Sequence, residues 1–118
     1  MTDLMAWLRA QMDADERPAL AAAARYVAPD GQAYWPLPSV RARFRDADDG
    51  IRAGLELIAS HDPARVLRQV AAMRAIVDAC EYTLDYEDYG WPLARDVLRH
   101  LATMYADRDG YQPEWAPE

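Results

Sequence analysis

Six side chains set the frame for this chain: Val66, Val70, Met73, Val77, Cys80 and Leu84 recur at steps of 4, 3, 4, 3 and 4 residues. That spacing is the a/d seam of a helix whose apolar stripe faces one direction, and it persists for nearly three heptads. A strand alternates every second residue and cannot place these six on one side. The seam predicts one long helix with a clear start. Asp62 is an N-cap residue and Pro63 a proline at the first helical position, where its missing N–H costs nothing.

The flanking segments extend the helical reading. Thr2 and Asp3 are the candidate caps of a first helix, in which Leu4, Leu8 and Met12 repeat beside Trp7. Pro18 lies within that pattern, so the helix is expected to end near Asp15 or bend there. The alanine-rich run from Leu20 to Tyr26 is then helical again, with Pro18 as a first-turn proline. Asp46, Asp48 and Asp49 suit the positive end of a helix bearing Ile51, Leu55 and Ile58. A final helix is expected to start at Pro92. Leu93, Val97, Leu101 and Met104 stripe it, and Leu98 and Tyr105 widen the stripe. Beyond it Gly110 marks a turn that returns Tyr111 and Trp115 to the bundle.

Only about 28–45 breaks the pattern. Pro29-Asp30-Gly31 is turn chemistry and Pro36 and Pro38 follow closely, so this stretch reads as an irregular loop. Tyr34, Trp35 and Leu37 are expected to lid the core, the alternative being an exposed recognition loop. The expectation is an all-α bundle of four or five helices, in a single domain covering 1–118.

Composition excludes several classes. Hydrophobic residues form 52% of the 118 residues, too many for a disordered chain. No apolar run reaches the roughly 20 residues a bilayer requires, so no membrane association is expected. The start, MTDLMAWLRAQMDADERP, lacks the basic-then-apolar layout of a signal peptide, which makes a cytoplasmic location the expectation. A formal net charge of −7 disfavours direct nucleic-acid binding, because the phosphates would be repelled. All 13 basic residues are arginine, a bias typical of a GC-rich genome. The single cysteine, Cys80, can form neither an internal disulfide nor a Cys-rich zinc site.

The His61-Asp62 pair invites comparison with metal-dependent phosphohydrolases. Such a site surrounds each ion with several ligands, including a histidine upstream of the pair. No histidine precedes His61, and the second of the two is His100. The reading is therefore a cap at Asp62 and a helix end at His61, with no metal and no cofactor. Ser39 and Ser60 lack a nucleophile-elbow setting, and no glycine-rich phosphate loop occurs. Asp46, Asp48 and Asp49 lack the spacing of a calcium loop.

Two constellations remain as candidate binding sites. Arg65 and Arg68, with His61, lie at the start of the Asp62 helix, where cations are disfavoured by the dipole. Something should compensate: an anion or a partner's carboxylate held there, or acids of the first helix such as Asp13, Asp15 or Glu16. The linker that follows the seam interleaves Tyr82, Tyr86, Tyr89 and Trp91 with Asp85, Glu87 and Asp88. Such a face grips a partner's cations, or else the tyrosines close the end of the bundle while the acids stay solvated. Arg74 and Asp78, four residues apart, are expected to pair along a solvated helix face. The seam itself is core, or an interface for a homodimer through Val66, Val70, Met73 and Val77.

HDPARVLRQVAAMRAI (61–76) and LRHLATMYADRDGYQPEW (98–115), together with the opening MTDLMAWLRAQMDADE, resemble an actinobacterial family of small, acidic, stand-alone proteins of unknown function. The resemblance covers about half of the chain and excludes 28–45. It implies source and fold more than activity. Relatives with cysteines in the linker before the last helix would imply a metal, whereas this linker carries tyrosine, glycine and tryptophan.

The functional expectation is a non-enzymatic, cytoplasmic interaction or regulatory accessory protein with an unidentified protein partner. Two alternatives stand beside it. One is an enzyme or binder of a small anionic or phosphorylated ligand at Arg65 and Arg68. The other is an acidic protein that blocks the basic nucleic-acid-binding surface of a partner.

Overall fold

The computed structural model describes residues 1–25, 49–86 and 89–118, and every described element is helical. Helix α1 spans Thr2–Arg25, α2 Asp49–Ser60, α3 Pro63–Tyr86 and α4 Trp91–Thr103, with a 3-10 turn at Pro113–Trp115. The fold is an all-α bundle. The expected loop at 28–45, with Tyr34, Trp35 and Leu37, lies outside the described residues, as do Tyr26, Asp46 and Asp48. Among the described residues no helix is long and apolar enough to cross a membrane.

Contacts within the chain define two compact units, residues 1–14 with 71–118, and residues 15–70. In the first, α1 contributes Leu4, Met5, Leu8 and Met12, each at most 7% exposed. Helix α3 contributes Val77 and Cys80, and α4 contributes Ala94, Leu98 and Ala102, followed by Tyr105. Val66, Met73 and Leu84 are half-buried, and Val70, Val77 and Cys80 are buried, so all six seam positions turn inward. In the second unit Ala19, Pro63 and Val70 are buried. Ile51 of the expected α2 stripe is 51% exposed, while the side chains of Leu55 and Ile58 lie outside the described residues.

Three sequence expectations are corrected. Of the two alternatives at Pro18, an end near Asp15 or a bend, the end is excluded: α1 runs on to Arg25 with Pro18 inside it. Pro18 is exposed, which keeps its ring out of the core, and the alanines that follow are the strongest helix formers. Thr2 and Asp3 are not caps. The Met5 amide donates to the Met1 carbonyl at 3.0 Å, so Met1 holds the capping position and Asp3 serves the first turn through its charge.

The third correction concerns α4. Its buried face is Ala94, Leu98 and Ala102, continued by Tyr105, while Leu93 is 70% and Met104 60% exposed. The face is rotated by one residue from the stripe read from the larger side chains. Alanines at i and i+8 leave room for a close helix contact, with Leu98 as the single large side chain between them. The helix starts at Trp91 with Pro92 second, and Gly90 occupies the N-cap.

The C-terminal segment docks as expected. Trp7 is its anchor: the ring lies 5.2 Å from Trp115, 5.8 Å from Tyr111 and 6.4 Å from Tyr105, centroid to centroid. Its indole N–H donates to the Asp109 carbonyl at 3.0 Å. Gly110 follows with φ +88, and a Cβ there would sit 2.8 Å from the Trp7 Nε1. Only glycine accommodates both the left-handed backbone and that approach.

Candidate functional site

The His61-Asp62 pair divides its work between two helices. An Asp62 carboxylate oxygen accepts from the Arg65 amide at 2.8 Å, and the Asp62 carbonyl accepts from Val66 at 3.1 Å. This is the N-cap geometry expected ahead of Pro63. The His61 Nδ1 donates instead to the Leu57 carbonyl at 2.9 Å, closing the last turn of α2. Both side chains satisfy orphan backbone groups at helix ends. Among the described residues no three His, Cys, Asp or Glu side chains converge as metal ligands would.

Arg65 and Arg68 are exposed on the first turns of α3. A groove of about 380 Å³ opens in this unit between Pro18, Ala19 and Ala22 of α1 and Pro63 and Val66 of α3, with His61 on its wall. Neither arginine lines it, so this groove does not bring together the three residues grouped as an anion or partner site.

Elsewhere, acids of α3 engage α1. Arg9 donates through one nitrogen to Asp78 and through another to Glu81, both at 2.8 Å, and this double contact raises the Arg9 pKa, Glu81 being the larger cause. Arg74 reaches Asp13. The expected Arg74–Asp78 pair along α3 is thus replaced by two cross-helix contacts, because α1 offers each residue a partner of opposite charge. Asp78 and Glu81 are consequently committed to structure. Cys80 is buried, which pushes its thiol pKa up and keeps it protonated.

The homodimer seam is also corrected. Val70 is 1% and Val77 0% exposed within the single chain, so a second copy could not reach them without unpacking the core.

The linker aromatics behave oppositely. Tyr82 is 59%, Tyr86 75% and Tyr89 100% exposed, which overturns the expectation that the tyrosines close the end of the bundle. The Tyr82 and Tyr86 rings lie 5.0 Å apart, one helical turn from each other, and exposed Asp85 shares their side of α3 by its spacing. Glu87 and Asp88 lie outside the described residues. Trp91 is 41% exposed and its ring is covered by the Arg95 guanidinium, 4.8 Å from the centroid.

Arg95 belongs to a second groove, of about 280 Å³, walled by Trp91, Pro92, Asp96, Arg99 and Glu118. The Arg99 Nε is buried there without a hydrogen-bond partner, the one such side-chain atom among the described residues. Sequence reasoning passed over Arg9, Arg95 and Arg99. The signal for the latter two was present: like charges at i,i+4 repel on a helix and invite an explanation.

No curated protein and no solved structure matches the chain. One family model does, over residues 1–117, and the protein accordingly belongs to the family of unknown function DUF6221.

Proposed function

We propose that this protein is a cytoplasmic, non-enzymatic interaction module whose tyrosine-bearing end of α3 holds an arginine-bearing segment of a partner protein. One observation carries the reading: Tyr82, Tyr86 and Tyr89 are 59–100% exposed and follow one another at one end of the helix that bears the first two. Tyrosine offers a large contact area at little conformational cost and is enriched in the energetic centres of interfaces. Tyr82 and Tyr86 present paired ring faces, and Asp85 lies beside them. Guanidinium stacks on such rings and pairs with such a carboxylate. The net charge of −7 would steer a cationic segment toward the surface. The stacking of Arg95 on Trp91 shows the same chemistry within this chain.

The test is fluorescence anisotropy of a labelled arginine–glycine repeat peptide titrated with the protein. Saturable binding is expected, weaker at higher salt. Each exposed cation–π contact contributes about 0.5–1 kcal/mol, so replacing Tyr82 and Tyr86 by alanine should weaken binding roughly 5- to 30-fold. Replacing Arg65 and Arg68 by glutamine should not weaken it. A lysine–glycine peptide binding equally well, or indifference to the tyrosine substitutions, would refute the reading.

A further inference from the structure

The groove beside α4 differs from the tyrosine face and has its own chemistry. Trp91, Arg95 and Arg99 follow one another at i, i+4 and i+8, so the helix presents an aromatic ring and two guanidiniums along one side. Arg95 lies over the Trp91 ring, which fixes the guanidinium plane. Arg99 lines the same groove, and its Nε–H is buried without a hydrogen-bond partner. A buried N–H without an acceptor is unfavourable, and so is a neighbour of like sign one helical turn away. Asp96 and Glu118 also line the groove, yet among the described residues no ion pair joins either of them to Arg95 or Arg99.

We propose that this groove binds an organic carboxylate, its oxygens held by Arg95 and Arg99 and its apolar body laid against Trp91 and Pro92. Guanidinium donors form a planar fork that matches the carboxylate. Asp96 and Glu118 select against more highly charged anions, since each extra negative charge on the ligand meets two carboxylates. The volume of about 280 Å³ accommodates a single ring or short chain with its acid group.

Thermal unfolding in the presence of benzoate tests this, against sodium chloride and inorganic phosphate at matched ionic strength. Benzoate should raise the melting temperature saturably with a Kd of about 1 mM. Arg99→Met should fold, since among the described residues Arg99 takes part in no ion pair, and should lose the rise. Arg95→Gln is the second variant and should weaken binding at least roughly fivefold. N-acetylphenylalanine presents the same chemistry as a protein chain end, and its affinity relative to benzoate identifies the natural source. The proposal is overturned if benzoate acts no more strongly than salt, if Arg99→Met keeps the effect, or if phosphate equals benzoate.

Discussion

Replacing Leu98 by alanine, with Leu93→Ala as its comparison, separates the two faces that α4 could have buried. Leu98 is 0% exposed between Ala94 and Ala102, and Leu93 is 70% exposed. Removing a fully buried leucine side chain loses its transfer free energy and leaves a cavity, together about 3 kcal/mol. The alanine neighbours cannot swing inward to refill the space, which keeps the cost above the lower end of the usual range of about 2–5 kcal/mol. Leu93 keeps most of its area in water and has under about 0.6 kcal/mol to lose. For a chain of this length about 1 kcal/mol corresponds to roughly 4 °C, so Leu98→Ala should lower the melting temperature by about 12 °C and Leu93→Ala by no more than about 2 °C. Calorimetry or circular dichroism at one protein concentration reads both. Equal losses, or a larger loss at Leu93, would refute the alanine-lined packing face and restore the stripe read from the large side chains.

Three further outcomes follow from particular contacts. Gly110→Ala should cost about 2–4 kcal/mol, since the left-handed backbone alone costs about 1–2 kcal/mol and the new methyl displaces the Trp7 ring from the Asp109 carbonyl; urea unfolding and tryptophan fluorescence read both effects. Asp62→Ala should cost about 1 kcal/mol and Asp62→Asn far less, because the amide oxygen still caps the Arg65 N–H; chelator should change neither variant's melting curve. Burial holds Cys80 neutral in the folded chain. Its contribution is therefore complete below the ordinary thiol value of 9.0 and is lost as pH rises from there through the higher folded-state pKa. Melting temperatures across alkaline pH should fall more steeply for the natural protein than for Cys80→Ala, and thiol reagents at pH 8 should modify the folded chain far more slowly than the unfolded one.

How far the sequence carries depends on which side chains hold each element in place. The α3 seam is legible because its six positions are apolar and its start is marked by Asp62 and Pro63, two residues with local mechanisms. The docking of Tyr111 and Trp115 is legible for a similar reason: a turn glycine followed by large aromatics implies a return to the core. The α4 face is not, because two of its buried positions are alanines, and alanine signals helix without signalling direction. Continuation of α1 through Pro18 is also hidden, since an exposed proline can be tolerated when packing holds the helix on the other side. The Arg9 bridge to Asp78 and Glu81 depends on how α1 lies against α3, which no spacing within one helix encodes. The tyrosines posed the reverse problem. Their type is compatible with burial and with exposure alike, and only the folded chain shows that Tyr82, Tyr86 and Tyr89 face solvent.

The most direct test of the interaction reading is amide and side-chain NMR of the isotope-labelled protein during titration with the arginine–glycine peptide. Progressive shifts confined to Tyr82, Asp85 and Tyr86 at the end of α3 and to Tyr89 beyond it, with the Tyr82 and Tyr86 ring protons moving most, are the predicted result. Shifts centred on Arg65 and Arg68, or no saturable shift anywhere in the spectrum, would contradict it.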